Sequence, residues 1–183
     1  MPDLLTHTLL NAALPVGTLK PRHLACFVVG GVLPDLASRV PGLFIARFLQ
    51  PLIPEGGPDI DWLIMGHEFL HVPLGVVLLA GLVGAALPRF LLGGLGRWQI
   101  AGLLLAGAAV HLGVDVMQEH LRPSYRYLFP FSMRPCELGW FSAEASLTWW
   151  PWLIPATVAS LAVSRWRWRQ NDARPGGEAE AGA

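Results

Sequence analysis

Two pairs of potential metal ligands occur at the spacing of one helical turn. His67 and His71 flank Glu68 in the sequence HEFLH, which matches the H-E-x-x-H pattern of zinc proteases. His111 and Asp115 repeat the same four-residue spacing further along the chain. Side chains four residues apart lie on one face of an α-helix, about 6 Å from each other, so each pair can bind one ion. The spacing therefore predicts two halves of a divalent metal site.

Two further candidate ligands precede these pairs, and one follows them. His7 interrupts the apolar segment LLTHTLLNAAL. Asp35 follows GGVLP, where the glycines and proline favour a turn that can present a carboxylate. Glu119 lies one turn beyond Asp115 on the same helical face, so it is a candidate for a supporting contact or a second ion. We expect His7 and Asp35 to be the more important additions.

The composition places these residues in a membrane protein. Of 183 residues, 53% are hydrophobic and only 14% are charged, with a mean hydropathy of +0.46. Ordinary soluble domains have about 25% charged residues. The formal net charge is zero, so we expect no nucleic-acid partner. The length fits one domain, predicted over residues 1–169, with a disordered polar tail at 170–183.

Three segments are apolar over about the 20 residues that a membrane-spanning helix needs, namely 72–92, 100–117 and 147–164. Tryptophans bracket the third segment, as expected at the two lipid–water boundaries. Apolar stretches in the first 65 residues are about ten residues long and are interrupted by prolines, so we expect short helices on or in the membrane surface. The predicted fold is an all-α integral membrane protein with about three transmembrane helices plus short N-terminal membrane-associated helices.

A glycine-rich loop near Gly94 and Gly96 joins the first two predicted spans, so these helices must form an antiparallel hairpin. The HEFLH motif stands at the start of the first span, and His111 and Asp115 lie near the end of the second. An antiparallel hairpin brings these two ends to the same face of the membrane. The four ligand-type residues are therefore predicted to meet. Aspartate inside an apolar span costs a few kcal/mol, which metal coordination would offset.

The arginines predict the orientation of the spans. Arg89 and Arg97 flank the glycine-rich loop, and three arginines between 165 and 169 follow the third span. Lys and Arg are enriched in cytoplasmic loops, so both segments are predicted to face the cytoplasm of an inner membrane. The metal ligands would then lie on the outer face. This orientation would require the basic residues of the N-terminal part to lie on the outer side, which counts against it. These residues are Lys20, Arg22, Arg39 and Arg47.

The order of motifs resembles a known family. LLTH near the start, GGVLPD, a histidine pair followed by PLG and an apolar span, and then HLGVD and LFPFS occur in the same order as in the YdjM-like family of inner-membrane, metal-dependent hydrolases. The resemblance covers about residues 1–142. It implies a mostly helical membrane protein with a metal centre built from six residues: His7, Asp35, His67, His71, His111 and Asp115.

A second, more remote resemblance concerns the ligands alone. Asp35, His71 and the His111–Asp115 pair are similar in order to the zinc ligands of the phospholipase C and nuclease group, which hydrolyses phosphate esters. Imidazole and carboxylate ligands favour zinc, with manganese or iron as alternatives. A divalent ion would activate water for attack on an ester, and Asp35 or Glu68 could accept the proton.

The leading hypothesis is a membrane-bound metal-dependent hydrolase that acts on lipid or lipid-linked phosphate esters, with membrane lipid as its surroundings. Arg122, Arg126 and Arg134 follow the second span, where they could bind a lipid phosphate or anchor to headgroups. One alternative is an intramembrane zinc protease in which Glu68 of HEFLH is the base. Another is a non-enzymatic membrane adaptor whose metal is structural or absent.

Overall fold

The computed structural model consists mainly of helices joined by turns. It describes residues 4–15, 19–44, 47–48, 50–52, 68–87, 94–119, 127–132, 134 and 136–172. Within this part of the chain the α-helices are α1 (Leu4–Ala13), α2 (Pro21–Phe44), α3 (Pro73–Ala86), α4 (Arg97–Met117), α5 (Ala143–Leu147) and α6 (Trp150–Asp172). Two 3-10 turns cover Gln50–Leu52 and Glu68–His71. Short strands β1 (Gln118–Glu119) and β2 (Phe141–Ser142) pair in parallel. Apart from this pair, the predicted all-α architecture is confirmed.

Helix α4 is the centre of the packing, because it contacts α1, α2 and α3. Its buried side chains recur every three or four residues along one stripe, from Ile100 and Leu104 through Ala108 to His111 and Asp115. This is the period of an α-helix that presents one face to its neighbours. The stripe is apolar in its first half and ionisable at its C-terminal end. The same face of α4 therefore packs against the neighbouring helices and carries the buried ionisable residues.

Helices α3 and α4 form the predicted antiparallel hairpin. Gly84, near the end of α3, lies against Ala101, near the start of α4. Val76, in the first turn of α3, packs with Ala108 and Leu112, in the second half of α4. The residue numbers therefore run in opposite directions along the contact. As predicted, the start of α3 lies beside the end of α4 that carries His111.

Helices α2 and α4 run parallel and approach each other through glycine. A Cβ atom at Gly30 would overlap the backbone of Leu104, and one at Gly107 would overlap the carbonyl oxygen of Phe27. Glycine allows two helix backbones to come this close, as in small-residue contacts between membrane helices. Cys26, early in α2, clusters with Ile100 in the first half of α4, and Asp35, later in α2, lies close to His111 in the second half. The two helices therefore run in the same direction.

The prediction of short N-terminal helices is correct for α1 and wrong for α2. Helix α1 has 10 residues, whereas α2 continues for 24 residues with Pro34 and Pro41 inside it. Pro34 has no N–H to donate to the carbonyl of Gly30, and a proline alone would favour a break there. Packing of the Gly30 turn against α4 compensates for the lost bond, since neighbouring helices can stabilise prolines inside helices. Tertiary contact therefore overrides the local signal.

Helix α6 lies along α1, and two hydrogen bonds join these helices, while a third joins α6 to Leu19, just before α2. The Trp150 indole donates to Thr6 Oγ1 at 2.8 Å. Further on, the Thr157 hydroxyl donates to the Leu9 carbonyl and the Ser164 hydroxyl to the Leu19 carbonyl, both at 3.0 Å. The residue numbers rise together, so α6 runs in the same direction as α1. Polar side chains that would be costly in an apolar environment are satisfied by this contact.

One of the described helices, α4, is long and apolar enough to cross a membrane, with a mean hydropathy of 1.9 over its best window. Helix α3 is apolar but has 14 residues, and residues 88–93 of the first predicted span lie outside the described part. Helix α6 has 23 residues but is less apolar, because it starts at Trp150 rather than 147 and continues through three arginines. It also extends to Asp172, past the predicted start of the polar tail. The spans at 72–92 and 147–164 stay predictions.

The structure changes the predicted placement of the N-terminal basic residues. Lys20 and Arg22 stand at the start of α2, parallel to α4, which starts at Arg97. The hydrogen bond from Ser164 to the Leu19 carbonyl brings Arg165 to the same end. Lys20 and Arg22 therefore lie at the end of the molecule that carries Arg97 and Arg165, and not at the opposite end as the sequence predicted. Arg89 lies outside the described residues.

The close contact between α2 and α4 predicts opposite effects for the same substitution at two glycines of α4. Gly107→Ala should destabilise the protein by about 1–3 kcal/mol, because the new methyl group must displace the backbone at Phe27. Gly102→Ala should be neutral or slightly stabilising, because nothing lies within 4 Å of its added Cβ and alanine favours helix. Thermal unfolding of both variants in detergent, followed by tryptophan fluorescence, measures the difference. Equal stability of the two variants would contradict the described packing.

Candidate metal centre

Five buried ionisable side chains from four separate segments meet at one end of the bundle. They are His7 of α1, Asp35 of α2, His71 of the 3-10 turn Glu68–His71, and His111 and Asp115 of α4. Each is at most 5% exposed. Such residues are almost never fully buried unless they are paired or bind a metal. They are the buried histidine and carboxylate side chains of the described interior, whose other buried polar residues are uncharged.

The α4 ligands are held in place by the buried stripe of that helix. His111 is fully buried, and its Nε2 lies 3.2 Å from Asp115 Oδ2, one turn later. The other carboxylate oxygen of Asp115 lies 3.1 Å from His7 Nε2. Asp115 thus bridges α4 to α1, one imidazole at each oxygen. The predicted pairing of His111 with Asp115 is present, with His7 as a third member.

His71 and Asp35 form the second half of the cluster. His71 Nε2 lies 3.2 Å from Asp35 Oδ1, within hydrogen-bond distance. His71 closes a 3-10 turn, and Val72 after it is extended at φ −109° and ψ 153° because Pro73 begins helix α3. A proline disfavours helical conformation in the residue before it and is well placed in the first helical turn. The Pro73 position therefore separates His71 from α3 and directs it toward α2.

Gly75 completes this local arrangement. A Cβ at position 75 would overlap the carbonyl oxygen of Phe69, so only glycine lets the first turn of α3 lie against the 3-10 turn. The 3-10 turn in turn contacts α2. His71 is therefore positioned by a proline, a glycine and the neighbouring helix.

His111 lies between the two halves of the cluster. Two groups of three residues each have ligand atoms within 4.8 Å of one another: His7, His111 and Asp115, and Asp35, His71 and His111. The ring centroid of His111 is 4.0 Å from that of His7 and 5.6 Å from that of His71. His111 is thus shared by both groups, which lie next to each other.

The hydrogen bonding of the cluster also fits a metal ion. The Nδ1 atom of His7 and both ring nitrogens of His111 are buried and make no aligned hydrogen bond with any residue in the described part of the chain. The 3.2 Å contact between His111 Nε2 and Asp115 is close but poorly aligned for a hydrogen bond. A buried nitrogen without a hydrogen bond costs about 1–3 kcal/mol. A cation can accept the lone pair of one nitrogen from each imidazole, so coordination would satisfy one of the two nitrogens of His111, and the residues present can hold a divalent metal ion.

Several predicted site residues do not join the cluster or cannot be placed. His67 lies outside the described residues, as do Arg122 and Arg126. The backbone of Glu68 belongs to the 3-10 turn that carries His71, but its side chain is not described. Glu119 is exposed on β1, away from the buried donors, because the helix ends at Met117.

Arg134 is also exposed. Of the three arginines predicted to follow the second span, it is the one that the structure describes. Its backbone N–H donates to Ser132 Oγ at 3.2 Å. A contact between its guanidinium group and a lipid phosphate stays a prediction.

Two polar residues that support the cluster were missed in the sequence. Asn11 is fully buried one turn after His7, and its side-chain amide donates to the His7 carbonyl at 2.9 Å. It also fills the space opposite Gly31 of α2. Thr6, next to His7, accepts the Trp150 indole N–H. The available signal was the spacing of Thr6, His7 and Asn11 on one face of an apolar segment.

The cluster predicts metal binding that depends on its central histidines. His111→Ala and His71→Ala should each remove most of a near-stoichiometric divalent metal, because both donors belong to the convergent set. His23→Ala is the matched control, because His23 is half-buried near the start of α2, at the other end of the bundle. Elemental mass spectrometry of detergent-purified protein measures the metal. A chain that binds no zinc, manganese or iron when these are supplied, or metal retained in His111→Ala, would contradict this assignment.

Comparison with known proteins supports the membrane assignment. The family model described as YdjM inner membrane protein matches residues 2–176, nearly the whole chain. No curated protein and no solved structure shows a significant match. The predicted resemblance is therefore confirmed at the level of the family. Activity and substrate have to be inferred from the geometry of the site. The chain belongs to the YdjM family of inner membrane proteins.

Proposed function

We propose that this protein is a membrane-bound metal-dependent hydrolase, with lipid or lipid-linked phosphate esters as its substrate class. The observation that carries the proposal is the convergence of three histidines and two aspartates, all buried, from four segments of the chain. Ionisable residues inside membrane segments are functional more often than structural, because their burial is costly. A purely structural role would not require this many buried histidines and aspartates close together.

The donor set suggests the metal. Three imidazoles and two carboxylates suit zinc, with manganese or iron as alternatives where carboxylates contribute. A bound divalent cation lowers the pKa of water and polarises a phosphoryl oxygen, which is the chemistry that ester hydrolysis needs. His7, His71 and His111 would supply nitrogen ligands, and Asp115, already between two imidazoles, an oxygen ligand.

Asp35 is the residue proposed to handle the proton. Its carboxylate lies beside His71 at the edge of the cluster contributed by α2, whereas Asp115 is engaged by two histidines. A carboxylate next to the donor set can accept a proton from water while its neighbours hold the ion. The same carboxylate can also contribute as a ligand. Asp35 therefore combines the two roles assigned to it from the sequence.

The surface next to the site favours a lipid substrate. The segment 127–142 packs beside the end of α4, since Tyr127 clusters with Leu112 and the Leu138 N–H bonds to the Val116 carbonyl. It exposes Phe131 at 95% and Trp140 at 68%. Aromatic residues of this kind are enriched at the headgroup level of membranes. These exposed aromatic residues support a reaction near the depth of lipid phosphates.

The local backbone does not favour the protease alternative. In H-E-x-x-H proteases both histidines lie on one face of an α-helix. Here Glu68–His71 forms a 3-10 turn and the α-helix begins only at Pro73, so His71 does not lie in an α-helix. Glu68 is thus not required as the base in the proposed mechanism.

Substitution of the two acidic candidates separates the hydrolase from the protease. Asp35→Asn keeps the side-chain volume but removes the charge, so hydrolysis of a lipid phosphate ester should fall by about 100-fold or more. Glu68→Gln should leave activity within about ten-fold of wild type. Release of phosphate or alcohol from lipid-linked phosphate esters in mixed micelles measures both variants. Loss of activity in Glu68→Gln with full metal content would overturn the assignment of the base.

The distribution of basic residues supports an outer location for the site. Lys20, Arg22, Arg97 and Arg165 lie at the end opposite the metal ligands, and positive residues are enriched on the cytoplasmic side. We therefore place the His/Asp cluster near the outer face of the inner membrane.

Labelling of single cysteines tests this orientation. In a background where Cys26 and Cys136 are replaced, Phe131→Cys should react with a membrane-impermeant maleimide in intact spheroplasts. Trp166→Cys, also exposed but at the basic end, should react only after the membrane is opened. The reverse pattern would place the site on the cytoplasmic face. Phe131 and Trp166 are both exposed aromatic residues, so each cysteine variant serves as the control for the other.

A further inference from the structure

A second feature lies at the end of the molecule opposite the metal centre. A groove of about 710 Å³ runs between α1, α2 and α6. Leu24, Val28 and Val29 of α2 and Leu161 of α6 line it. Asp35 lies six residues beyond Val29 in α2, so the groove and the cluster are separated by about 9 Å of helix, and none of the five donors lines the groove. The groove is therefore not part of the proposed active site.

The shape and lining of the groove suit a hydrocarbon chain. Its walls are almost entirely aliphatic, and its edges continue into exposed apolar side chains, Val29 at 49% and Leu161 at 45%. In a membrane protein such an edge faces lipid, so an acyl chain can enter sideways from the bilayer. A water-soluble ligand would have little polar surface to bind.

The charge at one end of the groove suits an anionic headgroup. Arg165 is itself a lining residue and is exposed. Lys20 lies nearby, its Nζ 4.9 Å from the centre of the Trp168 ring, and the Trp168 indole donates to the Leu19 carbonyl at 3.1 Å. These contacts hold the chain before α2 against α6, so the two positive charges stay at the same end. Among the lining residues that the structure describes, none is acidic.

We propose that this groove is a binding site for an anionic phospholipid of the cytoplasmic leaflet, with one acyl chain between α2 and α6 and the phosphate at Arg165 and Lys20. The proposal does not depend on hydrolase activity, because the site uses none of the metal ligands. Bound lipid would fill the space between α2 and α6, since the cited hydrogen bonds of α6 run to Leu9 of α1 and to Leu19 before α2.

Lipid retention measured by native mass spectrometry tests the proposal. Full-length protein is released from nanodiscs that contain equal amounts of phosphatidylglycerol and phosphatidylcholine with the same acyl chains. Wild type should retain phosphatidylglycerol preferentially. Arg165→Gln should lower that preference about five-fold, the effect of one charge near a membrane surface. Arg169→Gln is the matched control, because Arg169 is an exposed arginine of α6 that does not line the groove, and it should keep the preference.

A groove-filling variant tests the acyl chain separately from the headgroup. Ala25 lines the groove and is exposed, so Ala25→Phe should occupy the space without disturbing the core and should reduce retention of both lipids. Millimolar inorganic phosphate should not displace the lipid, since most of the contact is apolar. Equal retention of the two lipids by wild type, equal losses in Arg165→Gln and Arg169→Gln, or unchanged retention in Ala25→Phe would each overturn the proposal.

Discussion

The close backbone contact between α2 and α4 is the constraint on which the candidate site depends. Gly30 and Gly107 remove the side chains that would otherwise separate the two helices. Because the helices are parallel and in contact at this level, Asp35 of α2 and His111 of α4 lie side by side one or two turns later. A larger residue at either glycine would move one half of the donor set away from the other. The two glycines therefore determine the geometry of the donor set without contributing a donor atom.

Polar groups elsewhere in the bundle also form hydrogen bonds within an apolar environment. Helix α6 pairs indole and hydroxyl donors with oxygen acceptors at three successive levels, two of them in α1 and the third at Leu19. An unsatisfied polar group in lipid costs several kcal/mol, so these pairings specify the register of α6 against α1. They also hold α1 so that His7 reaches Asp115 across the interface. His7, the candidate ligand in α1, is thus positioned by α6, which contributes no residue to the described cluster.

The sequence predicted the parts of the site that depend on helical period and hairpin direction. The spacing of His111 and Asp115, and the antiparallel return of α3 against α4, follow from local pattern and a short loop. It did not predict the continuous α2, because Pro34 and Pro41 signal a break and the compensating contact with α4 is not local. For the same reason it misplaced Lys20 and Arg22. The turn at His71 was read as α-helix although Pro73 marks the true helix start.

The two ends of the bundle differ in a way that the apolar core alone cannot explain. At one end ionisable side chains point inward and are buried, which is costly unless a ligand repays the lost hydration. At the other end basic side chains are exposed around an aliphatic groove, which costs little in water or at a headgroup surface. Since the same helices α1 and α2 supply both ends, the asymmetry lies in the order of residues along each helix. A chain selected only to cross a membrane would need neither arrangement. The buried ionisable residues are explained by binding of a ligand, and the exposed basic residues by attraction to an anionic group.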